Sequence, residues 1–138
     1  MKEATLELQW VETPECEIMT HALDFVIGRI ALMKHLQITQ RVGVLSVDGC
    51  YARQLLLEEP SEMPTGRIPL YVCGTCADLG CGAITVAIER IDAGFIWRDF
   101  GFEASYSETF SQDDYTERLG PFFFLEGPYT SLISPYRK

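Results

Sequence analysis

From Gly66 to Glu103 the chain reads GRIPLYVCGTCADLGCGAITVAIERIDAGFIWRDFGFE, and three apolar, β-branched or aromatic runs stand there between turn signals. Ile68 to Cys73, Ala83 to Arg90 and Gly94 to Gly101 are predicted as consecutive strands of an antiparallel meander. In the middle run Ile84, Val86 and Ile88 alternate with Thr85, Ala87 and Glu89, so a strand puts the branched residues on one face, the expected core face. Asp92-Ala93-Gly94 supplies a short hairpin turn in which Gly94 is expected at positive φ, while Gly80 and Gly82 bracket Cys81 in the first connection. Three strands with one apolar face need a cover, which the rest of the chain must provide.

Working outward, Thr5 to Trp10 alternates with Leu6, Leu8 and Trp10 on one side and is expected as a first strand. His21 to Ile27 suits another strand. Ile30 to Leu36 suits a short helix, with Gly28 arguing against one continuous helix through both. Val42 to Val47 reads as a short strand, and the run from Cys50 has good helix formers that stop before Pro60. Glu59 to Gly66 is too short for a domain linker. Near the end, Gly120 to Leu125 is expected as a last strand and Gly127 to Ile133 as a terminal turn or short helix. The expected fold is therefore a single α+β domain over residues 1–138: a mostly antiparallel sheet built on the meander of about residues 68–101. The first strand and Gly120 to Leu125 extend that sheet, and one or two short helices, Ile30 to Leu36 and Ala52 to Glu58, cover one face.

With 138 residues the chain is long enough to bury a core without staples. No apolar run reaches the roughly 20 residues a membrane span requires. The amino-terminal MKEATLELQW lacks the apolar segment of a secretory signal, so a cytoplasmic location is expected. The five cysteines are an odd number without the spacing of a secreted disulfide framework, and reduced thiols are the expectation. A formal charge of −9 argues against nonspecific nucleic-acid binding, which needs clustered Lys and Arg, and no nucleic-acid partner is expected. It suits solubility or a basic partner.

Cys73-Gly-Thr-Cys76-Ala-Asp-Leu-Gly-Cys81 is the most specific local pattern. Two cysteines at C-x-x-C in a turn between strands make half of a zinc-binding loop, and Cys81 offers a third ligand, with Cys50, Asp78 or a histidine as candidates for the fourth. Small thiols filling a tight turn are the plainer reading. A redox reading is a third, but the chain runs on through Gly80 and Gly82 into a strand, so the helix dipole that activates a thioredoxin-like cysteine is expected to be missing. The two histidines, His21 and His35, lie in no recognisable nucleophile or metal motif. No residue pattern assigns catalysis, and the question stays open at this level.

Beyond the third strand the composition shifts. Asp99, Glu103, Glu108, Asp113, Asp114 and Glu117 are interleaved with Phe100, Phe102, Tyr106, Phe110 and Tyr115, and no basic residue stands among them. Carboxylates orient a basic partner, and exposed aromatic rings supply desolvated anchors. The partner-binding set expected on this basis is Asp99, Glu103, Tyr106, Glu108, Phe110, Asp113, Asp114, Tyr115 and Glu117. The alternative is that Phe100 and Phe102 pack inside and the acids only solvate the surface.

Leu70-Tyr-Val-Cys-Gly-Thr-Cys-Ala-Asp-Leu-Gly-Cys-Gly-Ala-Ile-Thr-Val86, followed by Trp97-Arg-Asp-Phe-Gly101 and Leu119-Gly-Pro-Phe122, resembles a family of small uncharacterised bacterial proteins. These carry L-Y-V-C-x-x-C-x-D-L-G-C-G, then W-x-D-F-G, then G-P-F. The resemblance implies no particular reaction or cofactor. Such sequences commonly have proline within C-x-x-C, where Gly74 and Thr75 stand here.

Two functions of different classes are expected on these grounds. One is a non-enzymatic acidic binding protein without cofactor, in its most concrete form an immunity protein that covers a cationic toxin domain such as a nuclease. The other is a small zinc or thiol protein acting through Cys73, Cys76 and Cys81. Neither the strand order nor the oligomeric state is readable from the sequence.

Overall fold

A computed structural model of the chain describes residues 2–104 and 119–137, together with the backbone of residues 110–111. The expected meander is its centre. Strands β5 (Ile68–Cys73), β6 (Ala83–Ile91) and β7 (Gly94–Glu103) pair antiparallel in sequence order. Ile84 and Val86 are fully buried, as their alternation requires, while Ile88 is half-buried. Pro69 lies at a β-bulge between Pro69 and Tyr71 and beyond the end of the neighbouring strand β4 (Arg41–Gly43), whose register runs from Cys73 to Tyr71. Both are positions where a strand tolerates a missing N–H.

Gly94 does not take the positive φ expected of it. It is the first residue of β7, and a Cβ there would lie 2.0 Å from the Phe124 carbonyl oxygen of β9 (Phe122–Leu125). Close approach of a neighbouring strand, not turn geometry, is what keeps the position small.

Among the described residues the strands form two sheets. The larger runs β4-β5-β6-β7-β8, with β8 at Phe110–Ser111 and β9 also pairing with β7. The smaller contains β1 (Leu6–Glu12), β2 (His21–Ile27) and the two-residue β3 (Ile30–Ala31). The expectation that the first strand extends the meander sheet is thus corrected: β1 pairs with β2 along its whole length, from Leu6 opposite Ile27 to Glu12 opposite His21. Sequence neighbours joined by a short loop satisfy their backbone groups with little loop closure. Trp10, expected on the apolar side of β1, is 62% exposed. Of the expected strand Val42 to Val47 only the beginning is extended, and Val44–Ser46 closes into a 3-10 turn.

β2 crosses the larger sheet at close range. A Cβ on Gly43 would meet the Leu23 carbonyl oxygen at 1.8 Å, and the Leu23 amide donates to Ser46 Oγ at 2.6 Å. Behind this contact Phe25 stands edge-on to Tyr71 and Trp97, with centroids 5.7 and 5.6 Å away.

Three short helices complete the described chain: α1 (Leu32–His35), α2 (Gly49–Leu55) and α3 (Glu126–Ile133). Asp48 caps α2 by accepting from the Cys50 amide at 2.8 Å. Tyr129 of α3 stacks on Phe95 at 4.3 Å, accepts a hydrogen bond from Trp97 Nε1 at 3.0 Å and donates to the Leu55 carbonyl at 2.6 Å. The face carrying Phe95 and Trp97 is therefore covered by β2, α2 and α3 together. This is an α+β fold whose sheets are mostly antiparallel and share one apolar core.

Candidate metal centre

The three clustered cysteines sit where β5 ends and the chain doubles back into β6. Two backbone clamps fix the start of this loop. The Gly74 amide donates to the Gln40 carbonyl at 2.9 Å, and the Gly74 carbonyl accepts from Glu17 N at 2.8 Å and Ile18 N at 2.9 Å. Within the loop Ala77 N donates to the Cys73 carbonyl at 2.9 Å. Ala77 itself takes φ of 59°, a left-handed conformation that L residues enter at a cost.

Loop amides on both sides of Ala77 are aimed at sulfur. Thr75 N–H donates to Cys73 Sγ and Asp78 N–H donates to Cys76 Sγ, each at 3.4 Å. Asp78 then starts a 3-10 turn over Leu79–Cys81, its carboxylate accepting from Gly80 N at 2.8 Å. The turn returns Cys81 to its partners, and its Sγ stops 3.5 Å from that of Cys76. Gly82, at φ of 78°, lets the chain leave beneath the Phe102 ring, which a Cβ would strike at 2.4 Å.

The sulfur atoms of Cys73, Cys76 and Cys81 all lie within 4.8 Å of one another. Cys73 is half-buried, and Cys76 and Cys81 are exposed. The amides of Thr75 and Cys76 pull the Cys73 thiol down to about 7, because an N–H donor stabilises the thiolate more than the thiol. Cys81 is pushed up to about 11, first by its hydrogen bond with Cys76 and then by Cys73. Cys73 thus loses its proton easily and Cys81 reluctantly, as ionisable groups sharing a small space do. A dication among the sulfurs would offset that repulsion.

Arg41 braces the far side of the loop. Its guanidinium donates to the carbonyls of Gly82 at 2.8 Å and Cys81 at 3.2 Å and lies 5.3 Å above the Phe102 ring. Beside Cys73 opens a cleft of about 510 Å³ whose walls include Glu15, Glu17, Gln40, Arg41 and Thr75. Neither Arg41 nor the Glu15–Ile18 segment was marked by the sequence reading. Both are far from the cysteines in the chain: the pairing of β4 with β5 brings Arg41 near, and the bonds of Glu17 N and Ile18 N to the Gly74 carbonyl bring the other segment near.

The candidates for a fourth ligand are not brought together with the trio. Among the described residues the group of thiols, imidazoles and carboxylates within 4.8 Å of one another contains the three cysteines and no further member. Asp78 is engaged with Gly80. Cys50 lies on α2 beside Asp48, its thiol pushed up to about 11 chiefly by burial. His21, at the head of β2, is 3.2 Å from Thr20 Oγ1, and His35 closes α1. Cys16 packs against Gly74, with its thiol directed at the carbonyls of Thr39 (3.9 Å) and Arg41 (3.8 Å). The activation expected to be missing at Cys73 for want of a helix is supplied by loop amides instead.

Of the acidic and aromatic set, Asp99 and Glu103 are the members whose side chains the structure describes. Glu103 is fully buried, which corrects its place in a partner-facing surface. Its carboxylate accepts from Thr65 Oγ1 at 2.7 Å and faces Arg67 Nε at 4.0 Å. Asp99 sits at a bulge of β7 with φ of 58° and pairs with Arg98 at 2.7 Å. Phe110 is described by its backbone alone, in β8 opposite Glu103. Tyr106, Glu108, Asp113, Asp114, Tyr115 and Glu117 lie outside the described residues. Phe100 is buried and Phe102 half-buried.

Comparison of the chain with protein-family models, with curated proteins and with solved structures finds no match.

Proposed function

We propose that the chain is a thiolate metal protein in which Cys73, Cys76 and Cys81 supply three sulfur ligands to a zinc-class dication. The observation that carries this reading is the meeting of three sulfurs within 4.8 Å in a loop whose amides point at two of them. Hydrogen bonds of that kind favour the deprotonated, metal-binding form and hold Cys73 and Cys76 in place before the ion arrives. Sulfur ligation selects a soft or borderline cation over magnesium or calcium. Such thiols persist in a reducing compartment, so the cytoplasm is the proposed location.

An acidic binding protein of the immunity type draws its support from the formal charge of −9. The described carboxylates of its expected surface, Asp99 paired and Glu103 buried, add none. The metal reading is therefore preferred.

Elemental analysis of the chain purified without chelator tests it. A stoichiometric amount of zinc is expected, falling at least about tenfold in Cys76→Ser under the same wash, because the variant lacks one of three sulfur ligands. A chain that carries no metal and takes up none from added zinc under reducing conditions would end the proposal.

A further inference from the structure

Three protein ligands leave a tetrahedral ion one position short. Resting on the metal reading above, we infer that this position is kept for a neutral nitrogen donor brought from outside the chain, namely the imidazole of a histidine on a partner. The first argument is supply. The histidines of the chain are His21 and His35, and the remaining cysteines are Cys16 and Cys50. None of these joins the trio. Cys16 is buried with its thiol turned to two carbonyls, and Cys50 belongs to α2. The residues outside the described part contain neither histidine nor cysteine.

Access is the second argument. Cys76 and Cys81 are exposed, and Cys73 stands on the wall of the 510 Å³ cleft, which is wide enough for an imidazole ring and its backbone attachment. A closed structural site would instead be ringed by its own fourth ligand.

Charge decides the class of donor. Three thiolates exceed a dication by one negative charge, which Arg41 offsets from its seat on the Cys81 and Gly82 carbonyls. A fourth anionic ligand, whether thiolate or carboxylate, would restore the excess beside Glu15 and Glu17 on the cleft wall. An imidazole adds none, and the same two carboxylates attract a histidine carried on a basic segment. Three cysteines and one histidine are moreover an established tetrahedral zinc set.

Cobalt(II) in place of zinc makes the coordination visible, because its ligand-field bands respond to donor type and number. The full chain, loaded with cobalt(II) under reducing conditions, would be titrated separately with imidazole, acetate and 2-mercaptoethanol, with its oligomeric state followed by size exclusion. A saturable band change is expected with imidazole at roughly tenfold lower concentration than with acetate or the thiol. In the chain carrying both Glu15→Gln and Glu17→Gln that preference should narrow. If cobalt(II) binds but the bands ignore imidazole, the fourth position is already filled and the inference falls, while the metal reading stands. Equal or stronger response to acetate or the thiol also overturns it, as does cobalt-dependent dimerisation with four-coordinate bands before any imidazole is added. Failure to bind cobalt(II) at all removes both readings together.

Discussion

A methyl group on Gly74 would lie 2.3 Å from Cys16 Sγ and 2.9 Å from the Gln40 carbonyl oxygen, to which the Gly74 amide already donates. Both contacts are too close to stand, so both neighbours or the loop itself would have to move. Cys16 is buried and Gln40 is held by that same hydrogen bond, so neither yields cheaply. Gly74→Ala is therefore expected to lower stability by about 1–3 kcal/mol in urea denaturation. It should also weaken zinc retention, because Gly74 directly follows Cys73 and anchors the loop to the Glu15–Ile18 segment. Wild-type stability together with wild-type zinc content in this variant would show that the clamp does not position the thiols. The contrast is Ala77, which stays left-handed although it is not glycine. Its neighbour Asp78 gains a bond to Cys76 Sγ from that conformation, which is a reason for the strain to persist.

At the scale of the strand, β7 carries one residue more than β6 over their central stretch: Thr85 faces Gly101, but Ala87 faces Arg98. The bulge around Asp99 reverses the alternation beyond it, so that Phe102, opposite Ile84, joins the side of Trp97, opposite Ile88. Glu103 is thereby turned to the other side with Thr85. There buried Thr85 and Glu103, half-buried Arg67 and exposed Thr65 form a polar cluster in which Arg67 Nε also donates to Thr85 Oγ1 at 3.0 Å. Burial pulls the Arg67 guanidinium down to about 10, against the opposing influence of Glu103. Removing the carboxylate in Glu103→Ala takes one opposing charge from beside Arg67 and the acceptor from two Thr65 donors. A loss of about 1–3 kcal/mol is expected by chemical denaturation. Glu103→Gln should lose less, since it retains an acceptor for Thr65; equal stability of all three chains would show that the cluster contributes nothing. The same bulge explains the limits of the sequence reading. The period of two in Ile84, Val86 and Ile88 was legible because nothing interrupts β6, but no glycine marks the left-handed residue in β7, so the inversion at Glu103 was not. Alternation also tells which side of a strand is apolar without telling which strand it joins, and that is why β1 was assigned to the wrong sheet. The spacing of Cys73, Cys76 and Cys81 announced the thiol cluster. Its clamps and its charged brace did not show, because long-range pairing alone creates them.

The two sheets meet at a titratable group, which makes the stability of the whole molecule depend on pH. Asp24 of β2 is 1% exposed. One of its oxygens accepts from Tyr71 Oη of β5 at 2.6 Å and from the Met33 amide of α1 at 3.2 Å, while the same Tyr71 oxygen accepts from Phe25 N at 3.4 Å. The contact thus ties the smaller sheet, the first helix and the centre of the larger sheet into one network. Burial pushes the Asp24 carboxyl above its ordinary value of 3.8, and the Tyr71 and backbone hydrogen bonds recover only part of that displacement. The folded state consequently holds the proton more tightly than the unfolded state. Below the unfolded-state value both are protonated and there is no penalty. As pH rises through that value towards the folded-state one, ionisation increasingly favours unfolding, by about 1.4 kcal/mol for each tenfold difference in proton affinity. Above the folded-state value the penalty is constant. Asp24→Asn cannot ionise, whereas the other carboxylates, including Asp48 with its depressed folded-state value, are common to both chains and cancel in the difference. Denaturation curves for the two chains between about pH 7 and about pH 4 should therefore show the wild type gaining stability relative to Asp24→Asn as the solution is acidified. A difference that stays level over this range, or grows in favour of the asparagine variant, would mean that Asp24 is no more costly to ionise in the fold than in the open chain.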